Sequence, residues 1–275
     1  MDYSNAIDKA RDSYSLEWEL TSNFFQQKGY YDWCAKNVPE NSKVLEIGVG
    51  IGNSSISLIK RKCKIIGIEE NMFNLEKAIS LFRKHKIYCG KILRENFIDI
   101  KDDKYAIDYF PMDDIPSEFI KKNDITVILG DFIVDELFKK WLSGYEKFDV
   151  IVCWFAGVHG IVYKNLKHTV TNPVDYRELL HDFLFEYGPS LLKPNGLINI
   201  CDRLNQVNSE TAKILMTEIE KIYKFEERNL EIKSTSHIIV DGFDTPGGID
   251  HEKDGNIDKT PKALYSLTVG LKHEK

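Results

Sequence analysis

The stretch Val44-Leu45-Glu46-Ile47-Gly48-Val49-Gly50-Ile51-Gly52-Asn53 constrains the fold more than any other part of the chain. An apolar run of strand character enters a turn with glycine at every second position, and a helical segment follows at 53–61. Gly48 can take backbone angles that other residues resist, and Gly50 lets a ligand approach the main chain closely. The helix beyond the turn offers unpaired N–H groups to anionic ligand groups.

Similar units recur. Apolar runs at Ile65–Ile68, Ile125–Leu129, Phe148–Val152 and Leu197–Ile200 alternate with helix candidates at 72–85, 134–143 and 175–192. Such alternation builds βαβ units around a mainly parallel sheet. A helix at 208–223 precedes two strand candidates near 236–240 and 264–271. No helix separates those two, so they are expected to pair antiparallel. The reading is an α/β fold: a doubly wound, mainly parallel seven-stranded sheet with an antiparallel C-terminal hairpin and a helical N-terminal cap. Residues 1–40, rich in aromatics, form the cap or lid. Residues 41–275 form the α/β domain. The charged segment 86–123, with strand-like pieces at Ile87–Leu93 and Tyr105–Phe110, is expected to be an insertion.

With 275 residues, 43% of them hydrophobic, the chain can bury one large core. Its net charge of −6 opposes a nucleic-acid partner, which needs clustered Lys and Arg against phosphates. The five cysteines form no CxxC pair, so neither a disulfide framework nor a structural zinc site is expected, and no metal is assigned. No signal-like or membrane-spanning run is seen, which points to a cytoplasmic protein. A homodimer is left open.

The third glycine of the turn stands one position too early for the dinucleotide fingerprint, and Glu46 precedes the first glycine by two. This E-x-G-x-G-x-G spacing resembles the first motif of the class I, Rossmann-like S-adenosylmethionine-dependent methyltransferases. Glu69, 21 residues after Gly48, ends the second strand, where an acid can accept from ribose hydroxyls; Glu70 is its rival. Gly130-Asp131-Phe132 after the third long strand resembles the family's acidic third motif. The resemblance, which covers about 60% of the chain, implies S-adenosylmethionine as cofactor and S-adenosylhomocysteine as product. It assigns Glu46, Gly48, Gly50, Gly52, Glu69, Asp131 and Phe132 to cofactor binding.

The acceptor is expected beyond the end of the fourth strand, at Cys153-Trp154-Phe155-Ala156-Gly157-Val158-His159-Gly160. That segment lacks the Asn/Asp-Pro-Pro-Tyr/Phe signature of amino-methylating nucleic-acid enzymes. His159 is the candidate general base, because an imidazole titrates near neutrality; His168 and His181 are weaker candidates. Tyr14 and Trp18, four residues apart on one helix face, and Trp154 with Phe155 are candidate substrate contacts. Together these features imply methyl transfer to an oxygen or nitrogen of a small-molecule metabolite. A protein or peptide methyltransferase and a non-catalytic S-adenosylmethionine-binding protein are the alternatives. The acidic stretch Asp250–Asp258 has calcium-like spacing but carries Pro261 where a bidentate Glu is needed, and is read as a solvated loop.

Overall fold

The computed structural model describes residues 3–99, 104–113, 115–167, 170–205, 214, 217–219, 221–225, 227–240 and 262–271. The stretch 250–258 and His168 lie outside them.

Helices α1 (Tyr3–Gln27) and α2 (Tyr30–Ala35) precede β1 (Lys43–Ile47), α3 (Asn53–Lys60), β2 (Lys64–Glu69) and α4 (Met72–Lys84). Next come β3 (Cys89–Ile92), β4 (Glu95–Asp99), β5 (Tyr105–Tyr109), α5 (Ser117–Lys121), β6 (Ile125–Leu129), α6 (Glu136–Gly144) and β7 (Phe148–Trp154). Then α7 (Pro173–Tyr187) leads to β8 (Leu192–Asn205), β9 (Leu230–Val240) and β10 (Lys262–Leu271). The main sheet runs β3-β6-β2-β1-β7-β8-β10-β9. Its first six strands are parallel, and β10 runs antiparallel to both β8 and β9.

The central strands are buried on both faces, so they read as unbroken apolar runs; every residue of β6 is buried. One face packs against α1 to α4 through Phe25, Leu75 and Phe82, and the other against α6 and α7 through Phe138, Leu184 and Phe185. Register on β8 is held by buried Asn199. Its Nδ2 donates to Ser266 Oγ at 3.0 Å and Thr268 Oγ1 at 2.9 Å on β10, and its Oδ1 accepts from Trp154 Nε1 at 2.6 Å on β7. No helix among the described residues is long and apolar enough to cross a membrane.

The sheet has eight strands where seven were expected. The extra one, β3, lies inside the segment read as an insertion and pairs in parallel with β6 at the sheet edge. It falls within the strand-like piece at Ile87–Leu93, but Cys-Gly-Lys-Ile is short and half polar and does not mark itself as part of the main sheet. The rest of that segment forms a separate β4–β5 hairpin. A buried ion pair ties this hairpin to the end of β6. Arg94 Nη1 donates to Asp135 Oδ2 at 2.5 Å and Nη2 to Oδ1 at 3.2 Å, both side chains being 1% exposed. Asp135 also caps α6 by accepting from Phe138 N at 2.9 Å.

Removing one member of such a pair strands the other charge in a dry site. Arg94→Met is therefore expected to cost about 3–5 kcal/mol, read as a lower urea midpoint at unchanged slope. A loss under about 1 kcal/mol would mean that the pair is effectively solvated.

Candidate functional site

The sheet order reverses between β1 and β7, and in open α/β sheets that crevice, beyond the carboxyl ends of the strands, is where ligands bind. The glycine turn lies there. Gly48, Gly50 and Gly52 have φ of 78°, 56° and 92°, a region costly for residues with a Cβ. Gly48 donates to Ile68 O at 2.9 Å, which binds the turn to β2. Gly50 N donates to Glu69 Oε2 at 2.7 Å. The other Glu69 oxygen accepts from Asn71 N at 3.0 Å and Asn74 Nδ2 at 3.4 Å. Burial, then the neighbouring charge of Glu70, raises the Glu69 carboxyl to about 7.

The cleft beside this turn is lined by Gly48, Glu69, Glu70, Asp131, Phe132 and Gly157, among others. Asp131 Oδ1 accepts from Ile133 N at 2.8 Å, which fixes the turn after β6, and Phe132 stands edge-on to Phe183 at 5.4 Å. Four of the residues assigned to a cofactor from the sequence, Gly48, Glu69, Asp131 and Phe132, thus meet in one cleft, with Gly50 bonded to Glu69.

Two others face elsewhere. Both oxygens of Glu46 are taken by hydroxyls at the start of α3, from Ser54 at 2.5 Å and Ser55 at 2.6 Å, and burial raises its carboxyl to about 7. Glu46 therefore pins α3 to β1. Gly52 meets α4: a Cβ there would come within 2.8 Å of Phe82 Cε1, so this glycine serves helix packing.

Helix α1 covers the turn. A Cβ on Gly50 would lie 2.6 Å from Trp18 Nε1, and one on Gly157 would collide with the Tyr14 hydroxyl. Tyr14 and Trp18, four apart, thus reach the cleft from one face of α1. The cleft at the strand ends has a volume of about 40 Å³, room for little more than one water. Beside it Arg11 Nη1 donates to Glu95 Oε1 at 2.7 Å and Nη2 to Glu70 Oε2 at 3.3 Å. This cation was not singled out in the sequence, because its partners lie 59 and 84 residues away.

His159 Nε2 stands 3.6 Å from Glu70 Oε2, and the imidazole is 2% exposed. Burial opposes ionisation of Glu70, but His159 and Arg11 outweigh it and hold the carboxyl down to about 2. His159 thus faces a carboxylate, a position that suits orienting better than taking a proton from an acceptor. Trp154 and Phe155 are not presented to the cleft as expected. Trp154 is bonded to Asn199, and Phe155 packs edge-on against Phe25 at 4.8 Å and Tyr31 at 5.8 Å. Phe155 has φ of 54°, rare for a bulky residue, and its N–H donates to Cys201 O at 2.8 Å. That bend brings Ala156 and Gly157 to the cleft instead.

No protein-family model matches the chain, and no curated protein matches it in sequence. Solved structures match it in fold. SMU.776, a candidate methyltransferase complexed with S-adenosylhomocysteine (SAH), is 11% identical with a TM-score of 0.50, over 90% of this chain and 50% of its own. This chain therefore spans about half the length of that protein. M. jannaschii TYW2 in complex with AdoMet is 14% identical with a TM-score of 0.47, over 90% of this chain and 76% of its own. The ribosomal protein L11 methylase from Lactobacillus delbrueckii subsp. bulgaricus is 12% identical with a TM-score of 0.46, over 92% of this chain and 80% of its own. With a glycine turn at the switch point and an antiparallel strand inserted near the far edge, the chain has the class I, Rossmann-like fold of S-adenosylmethionine-dependent methyltransferases.

Proposed function

We propose that the protein is a methyltransferase that carries a methyl group from S-adenosylmethionine to an oxygen or nitrogen of a small-molecule metabolite in the cytoplasm, releasing SAH. The reading rests on one observation: the turn Gly48–Gly50 sits at the switch point with Glu69 and Asp131 at the ends of the two neighbouring strands.

The residues suit the donor chemically. The main chain of Gly48 and Gly50 would meet the methionine half, Glu69 the ribose hydroxyls, and Asp131 with Phe132 the adenine. When bound, the donor supplies a sulfonium methyl open to attack. The protein's share is positioning, which is worth several kcal/mol when the reacting atoms are held in line. Glu46 and its two serines hold the turn rigid against α3. Trp18 must leave Gly50 before a ligand reaches the main chain, since its indole fills that approach. Once the acceptor sits beside Gly157, the same helix is placed to exclude water. His159 with Glu70 and Arg11 ties the loop after β7 to α1 and β4, which orients the floor of the site. An acceptor of metabolite size is favoured by a separate cavity of about 640 Å³ above β8, within the range of small-molecule pockets.

Ligand-induced stabilisation separates this reading from a nicotinamide-dependent one. SAH is expected to raise the melting temperature and NAD to leave it unchanged, with the SAH effect lost in Gly50→Val. Stabilisation by NAD alone would overturn the assignment. Affinity should also follow the Glu69 carboxyl. Its folded pKa is raised from 4.5 to about 7, so the ionised acceptor form grows as pH rises through neutrality. SAH affinity is expected to climb about tenfold between pH 6 and 8 and to be flat in Glu69→Gln. The same slope in both proteins would remove Glu69 from the donor site.

A further inference from the structure

The cavity of about 640 Å³ lies between α7, the carboxyl end of β8 and the helical residues Ile219, Ile222 and Tyr223, with Tyr265 of β10 as a wall. It adjoins the transfer point. Cys201, the residue before Asp202, pairs with Trp154 at the end of β7, and the loop to Gly157 begins directly after Trp154. Tyr14, whose hydroxyl meets Gly157, feels the charges of both Arg203 and Arg177 at the cavity rim.

The lining has an uneven charge. Asp175, Glu178, Asp182 and Asp202 face Arg177 and Arg203. His181 adds no cation at neutral pH, because burial lowers its pKa. Asp202 is the group that singles out a ligand. It is 6% exposed, and its Oδ1 accepts from Arg177 Nη1 at 3.2 Å and from Arg203 N at 2.8 Å. Its Oδ2 accepts no hydrogen bond among the described residues. That oxygen is left to water or a ligand, and a cationic donor meets a carboxylate best. The rings of Tyr223 and Tyr265 add faces that attract an organic cation.

We infer that this cavity is the acceptor site and takes a small molecule carrying an ammonium group, which Asp202 Oδ2 anchors. The inference rests on the methyltransferase reading for the word acceptor and on the cavity alone for the ligand class. The anchored nitrogen, being protonated, has no lone pair. It is a handle, and the oxygen or nitrogen that receives the methyl is a different atom of the same molecule.

Tyramine and 3-(4-hydroxyphenyl)propionate differ chiefly in the charge at one end, and titration calorimetry of the full chain compares them. Tyramine is expected to bind at least about tenfold more tightly, and Asp202→Asn to remove at least about tenfold of that affinity. Arg177→Gln keeps the carboxylate and is expected to retain tyramine binding, so it decides the matter if Asp202→Asn does not fold. Equal or tighter binding of the acid, tyramine binding unchanged in Asp202→Asn, or no tyramine binding at all would overturn the inference. SAH titrated into wild type and Asp202→Asn separates the two claims. Asp202 lies outside the donor cleft, so SAH affinity should be equal in both. Tyramine binding by a protein that ignores SAH would end the methyltransferase reading and leave the cavity's ligand class standing.

Discussion

The hydrogen bond from Gly50 N to the Glu69 carboxylate is the contact on which the site depends. It joins the turn after β1 to the end of β2, and it exists because Gly50 adopts a φ of 56° that aims its N–H across the strand ends. Bonds from Gly48 and Val49 to Ile68 O, at 2.9 and 3.2 Å, reinforce it. Two strands and a helix are thereby locked at the place where the sheet reverses its order, and a ligand there meets a preformed surface of backbone.

Charge is concentrated around that lock. Glu69, Glu70 and Asp131 line one cleft, Arg11 joins Glu70 to Glu95, and His159 faces Glu70 from the loop after β7. The cost of burying these acids is met unequally. Glu70 ionises readily because His159 and Arg11 face it, while burial and Glu70 itself raise the Glu69 carboxyl to about 7. The result is one fixed anion that anchors α1 and one adjustable carboxyl that faces the cleft. Helix α1 is therefore part of the site, through Arg11, Tyr14 and Trp18, and not merely a cover for hydrophobic surface.

Local features of the chain were readable and distant ones were not. The glycine turn, the buried runs at Val44–Ile47 and Ile125–Leu129, and the acids at Glu69 and Asp131 are signalled within ten residues or so of themselves, and they occupy neighbouring strand ends. The strand-like piece at Ile87–Leu93 does hold β3, but it was assigned to an insertion, because four half-polar residues do not show that they pair at the edge of the main sheet. Trp154 and Phe155 looked like pocket aromatics, since a ring at a strand end reads the same whether it faces a ligand or the core. Nothing in the pattern around Glu46 foretold that Ser54 and Ser55 would consume both its oxygens, because both roles need the same acid at the same position. The cavity above β8 draws on residues from Val174 to Tyr265, and no short motif could announce it.

Backbone hydrogen exchange with and without SAH tests the central claim most directly, since it reads the turn itself. Slower exchange is expected at amides 48–53 and 69–71 when SAH is added, together with a change along residues 11–20 of α1 as Trp18 gives way. Unchanged exchange at 48–53 under saturating SAH, or protection confined to other parts of the chain, would contradict it.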